Sequence, residues 1–435
     1  MSVVYKKDKL LSEGKTKKVF SVENNSSIVI VESKDDITAG DGAKREVIPD
    51  KGTWATATTS NVFRLLEECG KRTAFREQIS PTEFVAEKCD MTDLEVIARR
   101  EGHGSHLKRN PHHQKGVFFP KLLVEFYLKT SDKKWRGKDL PVNDPLIQFI
   151  HRENGTIKGI ELYRPDKPLA AQVPFMTVDH FPFKWDQKAL VDMEDTARTS
   201  FLILEKAWLI EGYRLVDFKI EFGFNADRKL VLADVIDNDS WRIVRSDSYY
   251  DKQVFRDGGE LSDVAKKYST VAEATKHFRL PRQRIILWRG SEGDDISSFE
   301  TGFENFFGLP DCELRYHTRS MHKQTRQGLD ELDSWVNSTK DGDIGCVNTV
   351  VIAYVGMSNG AGPTLAAHTH VPVIACSPTV KDFPEDIWSS LRMPSGVPLM
   401  TVLSPRNALL AAFGILAIRS PRVYALLRRS IEERL

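Results

Sequence analysis

No two of the five cysteines stand close together. Cys69, Cys89, Cys312, Cys346 and Cys376 are scattered, and their number is odd. A disulfide framework and a cysteine-based structural zinc site are therefore disfavoured, and the pattern suits a reducing compartment. No apolar run approaches the roughly 20 residues that a membrane-spanning helix needs. The opening segment, MSVVYKKDKL, is too polar for a secretory signal. Neither sign of charge dominates: Lys and Arg number 62, Asp and Glu 61. Without a bulk field to hold nucleic acid or an anionic membrane, any anionic ligand must be gripped by a local cluster. Repeats and low-complexity tracts are also missing. The expectation is a cytoplasmic protein that handles small molecules, with no nucleic-acid or membrane partner.

What is present is ordinary globular material. Apolar residues make up 41% of the 435 residues and charged residues 28%, enough for two or three domains with their own cores. Up to about residue 130 the chain alternates short β-type runs with one helical segment. VVYKKDKLLSEGKTKKVFSV and SIVIVES read as strand, turn, strand; SNVFRLLEECG reads as a helix closed by Gly70. TEFVAEKCD and LEVIARRE read as further strands. From about 131 to 195 the chain is rich in Pro, Asp and Lys, which predicts an inserted loop region with some strand in GTIKGIELY. DMEDTARTSFLILEKAWLIEG reads as a long amphipathic helix, and RLVDFKIEFGFNADRKLVLADVID as a hairpin turning at Asn225-Ala226-Asp227. A charged, weakly apolar stretch follows from about 245 to 280. Beyond it, RIILW, VNTVVIAYVG and VPVIACSP are short continuous apolar runs between helical segments, the pattern of a parallel sheet covered on both faces. The expected domains are 1–270, with an insertion near 140–185, and 280–435.

Several local patterns carry chemistry. Glu13-Gly14-Lys15-Thr16-Lys17 resembles the tail of a P-loop but lacks the first glycine and the following helix. It fits instead a glycine hairpin whose N–H groups and lysines cover a triphosphate; the ordinary alternative is an exposed basic turn. The small-residue loop DDITAGDGAK, with Asp41, has room for a ligand to approach its backbone, or is a surface turn. Arg99, Arg100, Gly104, Ser105, Lys108 and Arg109 suit a phosphate monoester, with guanidinium forks, a hydroxyl and free N–H groups. A solvated charged face is the usual fate of such a run. A metal reading of His103, His106, His112 and His113 has no matching acid or cysteine spacing. Asp217, Lys219 and Glu221 alternate along one strand and so share a face, with Asp234, Asp237 and Asp239 on and after the next. Converging carboxylates on paired strands suit Mg²⁺ beside nucleotide phosphates. Surface strand charges are a weaker alternative, because the strands are otherwise apolar.

EGKTKKVF, DDITAGDGAK, the Arg99…Gly104-Ser105 step, LKRNP, VDFKIEFG and LADVIDNDSWR occur together and in order. In this they resemble the SAICAR synthetase family across about residues 8–265. The resemblance implies a two-lobed ATP-binding α+β domain that phosphorylates the carboxylate of carboxyaminoimidazole ribonucleotide, after which the amine of L-aspartate displaces phosphate. It implies that Lys15 and Lys17 approach the ATP phosphates, and that Glu221 and Asp234 hold Mg²⁺. Arg99 and Ser105 would take the 5′-phosphate, Arg242 and Lys219 would lie near substrate carboxylates, and Asp41 would contact substrate. The segment Lys88–Leu94, with Met91, would be the adenine hinge, and Asp93 stands there where the family has proline.

In the last third, Gly290-Ser291-Glu292-Gly293-Asp294 follows a predicted strand, as does Gly356-Met357-Ser358-Asn359-Gly360. Glycine–serine turns at the carboxyl ends of parallel strands are where α/β sheets bind phosphate. His322-Lys323 offers a base and a cation, or a solvated pair. With WSSLRMPSG and TVLSP, residues 283–433 resemble AIR carboxylase of the animal, CO₂-using type, with a doubly wound, flavodoxin-like sheet. The resemblance implies phosphate and ring contacts from Gly290, Ser291, Asp294, Ser358, Asn359 and Gly360, proton transfer by His322, and carboxylate binding by Lys323. Three departures stand out: Glu292-Gly293 within the first loop, Met321 before His322 where the family has alanine, and Met357 where it has arginine. The two resemblances together imply a bifunctional purine-biosynthesis enzyme, assembled as a homo-oligomer through its C-terminal domain. An alternative keeps the synthetase alone active, with the C-terminal domain as an oligomerising scaffold. A non-catalytic nucleotide-binding assembly protein is a third reading.

Overall fold

The computed structural model describes residues 4–39, 44–130, 132–179, 184–306, 311–336 and 348–435. Asp41 and Cys346 lie outside them. Two compact units form: residues 1–279 with Arg428–Leu435, and Leu280–Leu427. Among the described residues no helix is long and apolar enough to cross a membrane.

The first unit opens with β1 (Lys7–Glu13), β2 (Lys17–Val22) and β3 (Asn25–Ser33), then the short pair β4 (Asp36–Ala39) and β5 (Lys44–Val47). Helix α1 (Lys51–Glu68) precedes β6 (Phe75–Ser80) and β7 (Glu83–Glu87). The five long strands form one sheet in the order β1-β2-β3-β7-β6. Its core contains Val22, Ile28, Ile30 and Val85. Helix α1 starts well before the expected SNVFRLLEECG segment. The Asp35 carboxylate accepts from the Gly52 N–H at 2.8 Å, satisfying a first-turn donor from outside the helix.

A nine-stranded antiparallel sheet follows: β8 (Asp90–Glu101), β9 (Phe118–Leu128), β12 (Leu146–His151), β13 (Ile157–Tyr163), β14 (Met176–Asp179), β15 (Arg214–Phe224), β16 (Leu230–Ala233), β17 (Trp241–Arg245) and β18 (Ser248–Tyr249). The order is β14-β13-β12-β9-β8-β15-β17-β18, with β16 also on β15. Between β8 and β9 lies the short α2 (Ser105–Arg109), and β10 (Lys134–Trp135) and β11 (Lys138–Asp139) form a small hairpin. The expected loop region of 131–195 is thus corrected: much of it extends this sheet, with Leu146, Ile147, Ile160 and Leu162 buried. The strand expected in GTIKGIELY is β13, and β12 and β14, which flank it in the sheet, are the ones the sequence did not suggest. Helix α3 (Gln187–Ile210) is the predicted long helix, capped by Asp186 accepting from Ala189 N–H at 2.7 Å. Its Phe201 packs edge-on against Phe218 of β15. The weakly apolar stretch near 245–280 holds α4 (Gln253–Arg256) and the longer α5 (Leu261–Thr275).

The second unit contains β19 (Gln283–Arg289), α6 (Ser297–Phe306), β20 (Cys312–Thr318), α7 (Thr325–Val336), β21 (Asn348–Tyr354), α8 (Ala361–Ala367), β22 (Val373–Cys376), α9 (Trp388–Leu391), β23 (Met400–Thr401), α10 (Pro405–Leu416) and the start of α11 (Pro421–Glu432), whose residues from Arg428 onward group with the first unit. All its strand pairs are parallel, in the order β20-β19-β21-β22-β23. This is the doubly wound, flavodoxin-like order. Ile285, Leu287 and Ile352 enter one core with Phe299 and Phe413, while Ile286, Trp288 and Val351 enter the other with Met321 and Leu365. A strand buried on both faces needs an unbroken apolar run, which is what the sequence shows.

One buried acid makes the first unit pH-sensitive. Asp251 is fully buried and accepts from Ile243 N–H at 2.8 Å and Gln253 N–H at 2.7 Å. Burial outweighs these donors and pushes its carboxyl from 3.8 up to about 7. The folded chain therefore keeps a proton that the unfolded chain has already released. This contribution to stability is complete below about pH 4 and is lost as pH rises through 7; the two values differ by about 4 kcal/mol at most. Asp251→Asn should flatten the pH dependence of the urea midpoint between about pH 4 and 7. An unchanged slope would assign that dependence to other groups.

Candidate active sites

The face of β15 that carries Asp217, Lys219 and Glu221 organises the first site. In register, Glu221 lies opposite Glu95 of β8, and Asp217 lies opposite both Arg99 of β8 and Arg242 of β17. Two carboxylates directly across a strand pair repel. Here cations bridge them: Lys129 Nζ donates to Glu95 Oε1 at 2.8 Å and to Glu221 Oε1 at 2.5 Å, and Lys219 Nζ donates to Glu95 at 2.6 Å. Burial raises the Glu95 carboxyl, but Lys219 and Lys129 outweigh it and hold it below its usual range. Burial pulls Lys129 down, yet Glu221 and Glu95 raise it overall.

Asp234, just past β16, has a left-handed backbone, with φ of 65°, and pairs with Lys17 of β2. Non-glycine residues rarely adopt that conformation unless their surroundings enforce it. Burial brings Lys17 down to about 8, against the pull of Glu221 and with the help of Lys129. Lys17, Lys219, Glu221 and Asp234 therefore share one charge cluster. Lys15 does not join it, being exposed in the turn between β1 and β2.

Beside that cluster, Arg99 Nη1 and Arg242 Nη1 both donate to Asp217 Oδ2, at 2.7 and 2.6 Å. Arg99 is 1% exposed and also donates to Glu125 at 2.8 Å and Ser105 Oγ at 3.2 Å. Glu125 and Asp217 more than offset the burial of this guanidinium and raise its pKa. Gly104, at φ 56°, lies under Arg242; a Cβ there would meet Arg242 Nη2 at 2.5 Å. Arg99, Ser105 and Arg242 are thus brought together. Met91 sits near the start of β8, the strand of Glu95 and Arg99, and its carbonyl accepts from Lys184 Nζ at 3.0 Å. Asp93 adopts φ of 58°, a turn that proline cannot make.

Sequence reasoning left Glu95 and Lys129 out of the site. Glu95 had a signal: a lone acid in an otherwise apolar strand needs a buried partner. Lys129 had none, since it follows the last residue of β9 and only the strand order brings it over β15.

In the second unit, the loops after β19 and β21 lie at the carboxyl ends of adjacent parallel strands, where this strand order reverses and binds ligands. Gly290 N–H and Ser291 N–H donate to Asp294 Oδ2 at 3.0 and 2.9 Å. Ser358 and Asn359 are both left-handed, at φ 62° and 42°. Ser358 N–H donates to Asp386 at 3.0 Å, and Asn359 Nδ2 donates to Ser390 Oγ at 2.5 Å. The buried Asn359 Oδ1 has no protein partner. His322 Nε2 lies 3.4 Å from Ser358 Oγ, and a Cβ on Gly360 would meet it at 2.7 Å. Lys323 is exposed beside it. Of the departures, Met321 is buried in the core, Glu292 pairs with Arg289, and Met357 is 73% exposed. None of the three inserts an apolar side chain between His322 and Ser358.

A strand face of paired acids and bases in the first unit, and glycine loops at the reversal point of a parallel sheet in the second, are the candidate sites of an enzyme acting on small anionic molecules. A profile of the SAICAR synthetase family matches residues 10–161 and 170–275, and one of the AIR carboxylase family matches 312–434. The chain is 35% identical to the human bifunctional phosphoribosylaminoimidazole carboxylase/phosphoribosylaminoimidazole succinocarboxamide synthetase, covering 97% of this chain and 93% of that protein. It is 35% identical to a Caenorhabditis elegans protein described as probable multifunctional protein ADE2, covering 95% and 91%. A phosphoribosylaminoimidazole-succinocarboxamide synthase of Chloroflexus aurantiacus is 39% identical over 61% of this chain and 95% of its own length. The chain belongs to the bifunctional AIR carboxylase/SAICAR synthetase family of purine biosynthesis. The synthetase matches leave out only 162–169 within the segment expected to be an insertion.

Replacing Gly360 with alanine should displace the His322 ring and suppress carboxylation, leaving the ATP-dependent step at its parent rate. Separate assays of the two half-reactions check this; normal carboxylation would show that His322 does not need its present position.

Proposed function

We propose that the chain carboxylates aminoimidazole ribonucleotide to carboxyaminoimidazole ribonucleotide in its second unit. In its first unit it joins L-aspartate to that product with ATP, giving SAICAR, ADP and phosphate. The observation that carries the reading is the single face of β15, on which Asp217, Lys219 and Glu221 join a two-arginine centre to a lysine–carboxylate cluster.

In the synthetase step the carboxylate of the ribonucleotide attacks the γ-phosphoryl group, ADP leaves, and the aspartate amine then displaces phosphate from the acyl phosphate. Arg99, Ser105 and Arg242 anchor the 5′-phosphate and the substrate carboxylates. Lys17, Lys129 and Lys219 neutralise charge on the triphosphate and the reacting carboxylate. These lysines are bonded to carboxylates in the free protein, so binding exchanges one set of anionic partners for another. Glu221 and Asp234 offer the oxygen donors that Mg²⁺ prefers, and two protein carboxylates plus substrate phosphates are its usual setting. When bound, Mg²⁺ would neutralise phosphate charge there. Lys15 in the hairpin turn and Met91 at the hinge complete the nucleotide contacts; Asp41 remains assigned to substrate by resemblance alone.

In the carboxylase step, the loop of Gly290 and Ser291, ordered by Asp294 accepting from both their N–H groups, holds the ribonucleotide together with Ser358, Asn359 and Gly360. The nucleophilic ring carbon attacks CO₂, Lys323 steadies the new carboxylate, and His322 removes the ring proton. The ring is itself the nucleophile, so no further cofactor is required. The protein acts in the cytoplasm as a homo-oligomer assembled through the second unit.

Product identification with full-length protein, ATP, bicarbonate, aspartate and aminoimidazole ribonucleotide tests the whole reading, SAICAR being expected. His322→Ala should abolish carboxylation and spare succinylation of supplied carboxyaminoimidazole ribonucleotide. Succinylation without any carboxylation in the parent would leave the synthetase alone and make the second unit a scaffold. Lys129→Met should cut synthetase turnover by about a hundredfold, the scale for losing one preorganised charge-stabilising donor. A steady-state rate within a factor of about two of the parent would remove Lys129 from the site.

A further inference from the structure

Strands β8 and β9 pair regularly from Leu94 opposite Leu128 to Arg99 opposite Leu123, but the next pair is Glu101 opposite Phe118. Between these pairs, Arg100 alone faces Phe119, Pro120, Lys121 and Leu122. The bulge therefore lacks ladder partners for its own backbone groups, and buried groups of that kind need substitutes.

Side chains supply them. Arg100 Nη1 donates to Phe119 O at 2.9 Å and Pro120 O at 3.1 Å. Arg198 of α3 donates to Leu122 O at 2.6 Å. The buried Leu122 donates its N–H to Glu432 Oε2 at 2.9 Å. Glu432 Oε1 accepts from Arg100 Nη2 at 2.7 Å and from Arg428 Nε at 3.0 Å, and Arg428 Nη2 donates to Pro120 O at 2.6 Å. Arg100 is 3% exposed and Glu432 4%. Arg100 Nε and Nη2 also donate to Glu205, at 2.7 and 3.1 Å. Residues Arg428–Leu435 accordingly group with the first unit, although nearly 150 residues of the second unit, Leu280–Leu427, precede them in the sequence.

We propose that Glu432 is a positioning residue of the synthetase site. It closes the β8–β9 bulge and thereby fixes Arg99 and its partner Glu125, which flank that bulge on the two strands. A carboxylate fits where a neutral side chain does not, because it accepts from one backbone N–H and two guanidinium groups at once. The proposal rests on the reading of Arg99 as a phosphate anchor.

The test uses full-length protein carrying Glu432→Ala or Glu432→Gln. Glu432→Ala should raise KM for carboxyaminoimidazole ribonucleotide by about tenfold with kcat little changed, since small displacements of a positioned group cost up to about a hundredfold. Glu432→Gln keeps an acceptor for Leu122 and should fall between alanine and parent. Amide hydrogen exchange at Leu122 should quicken in both variants, while carboxylation stays at the parent rate. Unchanged exchange and KM would overturn the clamp; quickened exchange with parental KM would reduce it to a structural tie and overturn the positioning role. Arg99→Lys separates the underlying reading: if that change leaves KM unaltered, the phosphate assignment fails, whereas the exchange result still reports on the clamp. Should the alanine variant not fold, the glutamine variant carries the same readouts.

Discussion

Glu95 and Glu221 face each other across β8 and β15, close enough to repel, on a sheet that buries most of its surroundings. Everything in the first site follows from how that repulsion is cancelled. Lys129 spans both acids and Lys219 reaches the nearer one. One repeat further along β15, the signs are reversed: two arginines share Asp217. The strand face is thus a short alternating lattice of charge, stable only while each member keeps an opposite partner. Lys129, Lys219, Arg99 and Arg242 are thereby each held in place by a protein carboxylate.

The second unit orders its glycine loops differently, with carboxylates that accept from backbone N–H groups. At the carboxyl ends of β19 and β21, Asp294 holds Gly290 and Ser291, Asp386 holds Ser358, and the left-handed pair Ser358-Asn359 leaves Ser358 Oγ 3.4 Å from His322 Nε2. The departures from the family pattern fall into three environments. Met321 fills the core behind the loop, Glu292 is neutralised by Arg289, and Met357 projects into solvent. Only the last removes a cation that the family places beside the loop. His322 itself stays exposed, with Ser358 Oγ 3.4 Å from its Nε2.

Legibility differed between elements for physical reasons. The parallel strands RIILW and VNTVVIAYVG were plain, because burial on both faces demands unbroken apolar runs. The hairpin around Asn225-Ala226-Asp227 was plain from its turn and its alternation. By contrast, β12 and β14 are short and lie among Pro and Lys, so of the segment that widens the main sheet only β13, in GTIKGIELY, read as a strand. Helix α1 was truncated because GTWATATTS is rich in β-branched threonine, a weak helix former whose positions here are secured by burial. Motif order singled out Lys17, Lys219, Glu221, Asp234, Arg99 and Arg242, which the structure brings together around β15. Lys129 and Glu432 were not singled out, since neither sits within a patterned run.

By itself, the sequence determined the strongly patterned elements, which families they belong to and which residue types carry the charge, because periodicity and motif spacing are local properties. Tertiary structure alone decided the pairings. It set Glu95 against Glu221, brought Lys129 from the end of β9 over both, left Lys15 in solvent, and placed Glu432 on a bulge more than 300 positions earlier in the chain. Strand order and register decide which distant charges become neighbours, and the energy of a buried charge depends on that neighbour rather than on its place in the sequence.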